Sequence, residues 1–147
     1  MKFIVVGNLS TDEIYHHRKP GKKSFIGKRV GGSSLYASMA LGSLRQDVTL
    51  IGSHNLPSSF FKERNISVTR HKQSTPISIN IYEQEDKAYV NSSINPEIVF
   101  EDIHGLVEVD CVIIDPLFDE ISYETLRRVR QATRRMIALD MQGYLRD

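Results

Sequence analysis

Residues 30–44 read VGGSSLYASMALGSL: two adjacent glycines run into two serines and then into an apolar, small-residue segment. Leu35, Met39 and Leu41 stand there among alanine, serine and glycine, which predicts a closely packing helix from Ser33 or Ser34 to Leu44. Glycine lets main chain approach another group with no Cβ in the way. The start of a helix adds unpaired N–H groups and the positive end of a dipole. Such a bend suits the grip of hydroxyl or anionic groups, and either serine is placed to cap the helix.

Upstream, the apolar run from Phe3 to Val6 stops at Gly7, as a strand buried on both faces does. Residues 11–30 are polar and basic and are broken by Pro20-Gly21, so they read as an excursion from the core, with Ser24 to Val30 returning as an exposed strand. Downstream, Asp47 to Ile51 predicts a strand and Pro57 to Arg64 a short helix. Ile77, Ile79 and Ile81 alternate with Ser78, Asn80 and Tyr82, one arm of a hairpin that turns at Glu83 to Asp86 and returns over Lys87 to Asn91. Val109 to Ile114 is a further buried strand, Ile121 to Arg135 a helix with Leu126, Val129, Ala132 and Met136 on one side, and Met136 to Leu139 a last strand. Strands alternating with helices around a separate hairpin predict an α/β parallel sheet that carries an antiparallel flap.

The chain has 147 residues, 40% of them hydrophobic and 25% charged, with a formal net charge of +1. That is one domain with a real core and without the basic excess of a nucleic-acid binder. One cysteine, Cys111, builds no disulfide framework, which makes a cytoplasmic, reducing compartment the expectation. The apolar run at the N-terminus is too short for a leader or a membrane span.

The order of these segments carries a resemblance. A first strand ending in GNLSTDEI, a polar excursion, GGSSLYASMALGSL, a strand ending in VTLIG, an RNISVT segment, a TPISINIYE hairpin and a closing ALDMQGYLR resemble the ribokinase-like, PfkB-type family of carbohydrate and nucleoside kinases. The likeness spans residues 1–147 and covers the family's N-terminal half, since members usually run to about twice this length. It implies a doubly wound, mostly parallel sheet flanked by helices, with a small antiparallel β lid built from about 16–30 and 76–91. It also implies ATP-dependent phosphorylation of a sugar or nucleoside hydroxyl, with magnesium bridging the phosphates.

By the same resemblance, Asp12 matches the aspartate that holds sugar hydroxyls, and Gly31 and Gly32 match the glycine pair at the sugar. Asn8, Ser33 and Tyr36 are further substrate-side candidates, and Asp140 with Arg146 resembles a D…R pair at the substrate and phosphate side. The chemistry suits Asp12: an ionised carboxylate accepts from two neighbouring hydroxyls, and the residue follows a strand's carboxyl end, where open α/β sheets place ligands. Phe25, Ile26 and Val30 are expected to face Ile77, Ile79 and Ile81 across the lid.

The sequence departs from the family's pattern in places. Tyr36 replaces a common asparagine, Arg45 a common helix-ending glycine, and Ser53-His54-Asn55 the usual VGxD. The DTxGAGD motif, which in the family supplies the base and the anion hole, does not occur in the chain. The resemblance therefore implies a substrate-binding half, inactive alone, with no catalytic residue, ATP or magnesium of its own. The alternative is a non-catalytic sugar-binding or oligomerisation module. Its partners would be a sugar or nucleoside, and a second copy through the lid or a C-terminal half.

Other chemistry is weaker. His16 and His17 are adjacent and face opposite ways on a strand, with no companions at metal-ligand spacing, so no metal site is expected. Arg127, Arg128, Arg130, Arg134 and Arg135 read as a solvated helix face, with Glu124 in reach of Arg128. Cys111 reads as a packed thiol.

Overall fold

In chain order the elements are strands β1 (Lys2–Val6), β2 (Ser10–Lys19) and β3 (Lys22–Gly31), helix α1 (Ser33–Ser43), strand β4 (Asp47–Gly52), helix α2 (Ser58–Lys62) and strands β5 (Ile66–Arg70), β6 (Ile77–Tyr82) and β7 (Ala88–Asn91). A short 3-10 turn (Phe100–Asp102), strand β8 (Cys111–Ile114), helix α3 (Tyr123–Ala132), strand β9 (Met136–Leu139) and a last 3-10 turn (Gln142–Tyr144) complete it. The computed structural model describes residues 1–19, 22–70, 77–82, 88–91 and 96–145.

The apolar N-terminal run is the middle of a five-stranded sheet in the order β5-β4-β1-β8-β9, and every pairing in it is parallel. Successive side chains of a strand leave opposite faces, so a strand covered on both sides must be apolar throughout. Val5 packs with Leu35, Val48, Leu50, Phe61 and Ile66 beneath α1 and α2. Ile4 and Val6 pack with Val112, Ile114, Ile121 and Val129 beneath α3. Fully burying one such side chain stabilises by about 2 kcal/mol.

The chain leaves β1 for β4 and β5 on one side, then returns to lay β8 and β9 on the other. The strand order therefore reverses between β1 and β8, and the carboxyl ends of strands at such a reversal are where open α/β sheets place ligands. The doubly wound sheet with flanking helices is thus as expected.

The lid differs from its expected form in three respects. It is a four-stranded mixed sheet, β3-β2-β6-β7, in which β2–β3 and β6–β7 are antiparallel but β2–β6 is parallel. It begins at Ser10 rather than near residue 16, so Asp12 belongs to a strand, opposite Arg29, and not to a loop. Because β2 lies between β3 and β6, the expected facing of Phe25, Ile26 and Val30 with the isoleucines of β6 is not a neighbouring-strand contact. The hairpin turn at Glu83 to Asp86 and the side chains of His16 and His17 lie outside the described residues.

Helix ends follow local chemistry. Ser122 caps α3 by accepting from the Thr125 N–H at 3.2 Å, which starts the helix two residues later than expected. At α1 the N-cap is Gly32, and neither serine caps it by side chain. After Leu44 the chain turns left-handed at Arg45, with φ 56°. The Gln46 and Arg45 N–H groups then donate back to the Leu41 and Gly42 carbonyls, the closing pattern that glycine favours. On α3, Arg127 pairs with Glu124 at 2.6 Å, while Arg128 pairs with Glu101 at 2.6 Å and not, as expected, with Glu124.

Candidate functional site

The site grows from the point where β1 ends and the lid begins. Gly7 lies so close to β8 that a Cβ there would strike the Asp115 carbonyl, and the same atom would meet the Ser34 side chain at 3.1 Å. Glycine is what lets the first strand, the end of β8 and the first turn of α1 converge.

Asn8 follows, fully buried, and acts as a joint. Its Oδ1 accepts from the Ser53 N–H at 2.9 Å, its Nδ2 donates to the Pro96 carbonyl at 2.9 Å, and its own carbonyl accepts from the Ser34 hydroxyl at 3.1 Å. Its amide is thus engaged with main chain from two other segments.

Asp12 is 5% exposed. The Ser10 hydroxyl donates to its Oδ1 at 2.7 Å and Arg29 Nε to its Oδ2 at 3.1 Å. The carboxylate lies directly against Gly31, where any Cβ would collide with both of its oxygens. Gly32 follows with φ 105°, a left-handed conformation, and a Cβ there would crowd the Asn8 carbonyl at 3.0 Å. The buried carboxylate and the bare bend predicted from sequence are therefore in contact, at the root of the lid. Tyr36, one turn into α1, is half exposed, and its hydroxyl is 3.5 Å from the Val30 carbonyl.

Ser33 faces Asp115, a residue singled out by no sequence motif. Asp115 stands at the carboxyl end of β8, is 5% exposed, and its Oδ1 has no hydrogen-bond partner among the described residues. Burial pushes its carboxyl up to about 6; the Ser33 hydroxyl opposes that, while the Asp140 and Glu120 carboxylates add to it. Asp140 occupies the corresponding place after β9, its N–H donating to the Ile114 carbonyl at 2.9 Å and its Oδ1 accepting from the Gln142 N–H at 2.8 Å. Arg146, its expected companion, lies outside the described residues. The readable signal for Asp115 was a carboxylate directly after the apolar run VDCVII, where a doubly wound sheet presents its ligand-facing edge.

Glu120 closes the floor. It is 2% exposed and accepts from the Asn8, Leu117 and Phe118 N–H groups at 3.1, 2.8 and 2.7 Å. Tyr144 donates to the Ile121 carbonyl at 2.8 Å, and burial, with the charges of Glu120 and Asp119, raises its phenol to about 12. Cys111 is buried and its thiol is pushed up by burial, the environment of an inert packed cysteine. Among the described residues no three histidine, cysteine or carboxylate groups are placed to hold a metal ion, and no helix is long and apolar enough to cross a membrane.

No family model and no curated protein matches the chain. Solved structures do. A pyrophosphate-dependent kinase in the ribokinase family, complexed with a pyrophosphate analog and myo-inositol, is 20% identical with a TM-score of 0.76 over 98% of this chain and 50% of its own. Ribokinase from Thermotoga maritima is 17% identical (TM-score 0.73, covering 97% of this chain and 53% of its own). Ribokinase from Giardia lamblia is 15% identical (TM-score 0.71, covering 99% and 52%). The chain has the ribokinase-like fold, and it spans about half the length of these proteins.

Proposed function

We propose that the chain is the acceptor-binding part of a ribokinase-like carbohydrate kinase. It would hold a sugar, nucleoside or cyclic polyol while a complementary half presents the phosphoryl donor. The observation that carries this reading is the Asp12 carboxylate held against the Gly31–Gly32 bend, at the start of α1 and the carboxyl edge of the sheet.

The chemistry of each part is simple. Asp12 accepts from acceptor hydroxyls in a setting where charge-assisted bonds are strong. Ser10 and Arg29 fix the direction in which its oxygens point. Gly31 and Gly32 let the acceptor reach main chain, and the first N–H groups of α1 favour electron-rich oxygens. The lid excludes water from a reaction that depends on positioning and on stabilising charge.

The donor side is held elsewhere. The chain contains no DTxGAGD sequence, and its described residues offer no metal-holding set. The steps assigned here are those of the acceptor side alone. The docking surface for the complementary half is the open side of β9, an edge strand. Beside it Tyr123, Leu126, Leu139, Met141 and Tyr144 line a groove of about 620 Å³, and Met136, Leu139 and Met141 are 60%, 42% and 49% exposed. Exposed apolar surface next to an unpaired strand edge marks a place for another polypeptide. The same surface favours the second reading, a module that binds sugar and assembles without catalysing.

Calorimetric titration of the chain with D-ribose, adenosine, myo-inositol and ATP tests the proposal. Saturable binding of at least one acceptor, abolished in Asp12→Ala, is the expected result. Binding of ATP with no acceptor binding overturns it.

A further inference from the structure

Helix α2 is too short for the strand that follows it. Its five residues, Ser58–Lys62, rise about 7.5 Å, whereas the five residues of β5, Ile66–Arg70, run about 16 Å. The turn between them is left-handed at Asn65, with φ 55°, so α2 meets the start of β5, where Phe61 and Ile66 share one buried cluster. β5 is also an edge strand, paired with β4 on one side and with no described strand on the other. A pocket of about 400 Å³ results between α2, β5 and the loop after β4. Its polar lining comes from His54, Ser58, Lys62 and Ser67, and Phe61 and Val68 are among its apolar residues. His54 belongs to residues 53–55, where the sequence leaves the family's pattern, and its ring lies 4.8 Å from that of Phe61.

We propose that this pocket binds a small organic monocarboxylate with an apolar body, its acid group drawn to the Lys62 ammonium and the Ser58 and Ser67 hydroxyls, its body set against Phe61 and Val68. A cleft of this size, apolar with a few polar groups, is the ordinary form of a small-molecule site. The sign of the ligand follows from the lining. No carboxylate lines the pocket. Lys62 is exposed and has no ion-pair partner among the described residues, because Glu63, the acid next to it in sequence, pairs with Arg64 at 3.7 Å. One permanent cation matches one negative charge, whereas a phosphomonoester would bring nearly two. Size sets the body: a cavity of about 150 Å³ already admits benzene, so this one has room for a ring with a short acid chain. None of these residues belongs to the acceptor site, and the inference does not rest on that reading.

The test is titration of the full chain at pH 7 with 3-phenylpropionate, followed by the amide resonances of the protein. Three probes with related bodies serve as comparisons: 3-phenylpropan-1-ol, 3-phenylpropylamine and phenyl phosphate. Saturable shifts at Leu56, Ser58, Lys62, Ser67 and Val68 are expected with the carboxylate, and the amine should bind at least tenfold more weakly. Lys62→Ala should weaken the carboxylate about tenfold, the lower end for a hydrogen bond to a charged group because Lys62 is exposed. The same variant should leave the alcohol unchanged, and Lys62→Arg should restore the carboxylate. High salt should weaken the carboxylate and spare the alcohol. Should Lys62→Ala not fold, the order of the four probes on wild type decides. Absence of saturable shifts, or shifts confined to the groove beside β9, overturns the inference. So does binding of the alcohol or the amine as tight as that of the carboxylate, or an unaltered carboxylate affinity in Lys62→Ala. Tighter binding of phenyl phosphate overturns the assignment to a monocarboxylate.

Discussion

Substituting Asp115 with asparagine should stabilise the protein at alkaline pH and leave it unchanged in acid. The Asp115 carboxyl titrates at about 6 in the folded chain against an ordinary 3.8, chiefly because it is buried. One pH unit of displacement corresponds to about 1.4 kcal/mol, so the ionised group costs the folded state about 3 kcal/mol above pH 6. The sign is as follows. Between pH 3.8 and 6 the folded chain holds a proton that the unfolded chain has released. Stability is therefore highest below the lower value and is lost as pH rises through the upper one. At 5% exposure solvent screening recovers little of that cost. The asparagine amide carries no charge and can donate to Asp140, so the variant should regain about 1–2 kcal/mol at pH 8 and raise the melting midpoint by roughly 5 °C. At pH 4 the two proteins should melt together. Thermal unfolding followed by circular dichroism at both pH values reads this directly. An equal advantage at pH 4 and pH 8, or a lower midpoint at pH 8, would show that the carboxyl is neither strained nor titrating as argued.

Three further substitutions probe separate parts of the site. Gly31→Ala drives a methyl into the Asp12 carboxylate; acceptor binding should fall at least tenfold, read by calorimetry, because carboxylate and bend cannot both keep their places. Glu120→Gln exchanges one oxygen for an NH2 group among three N–H donors; a loss of about 3 kcal/mol is expected in urea unfolding, and a loss below about 1 kcal/mol would deny Glu120 its part in holding the β8–α3 loop. Arg45→Gly relieves a left-handed φ of 56° after α1 and should stabilise by about 0.5–1 kcal/mol, seen as a shift of the same unfolding midpoint.

The parallel sheet was legible because β1 and β8 are short apolar runs and α3 carries an apolar stripe, patterns set by burial on two faces or on one. The bend at Gly31–Gly32 was legible because glycine reports a backbone requirement directly. The lid was not. Residues 10–19, STDEIYHHRK, are polar and charged, and their strand is held by main-chain pairing to β3 and β6, which leaves no mark on side-chain composition. Hence Asp12 read as a loop residue, and β3 was placed beside β6 with β2 missing between them. Asn8 shows a different limit: a side chain joining Ser53 to Pro96 depends on contacts across 45 and 88 residues, and no local pattern encodes such distances.

Glu120 and Asp115 show how one residue type serves two purposes at the same edge of the sheet. Both are buried carboxyl groups a few residues apart, 2% and 5% exposed. Glu120 meets three N–H groups, the number that makes a buried carboxylate stable, and it thereby ties the end of β1 to the loop after β8. Asp115 faces a hydroxyl and two carboxyl groups, keeps an oxygen without a partner among the described residues, and holds its proton up to about pH 6. Selection for stability alone would replace such a group with an amide or an apolar side chain of similar volume. A cost kept at the carboxyl edge of a doubly wound sheet, beside a bend stripped of side chains, makes physical sense when a ligand removes it.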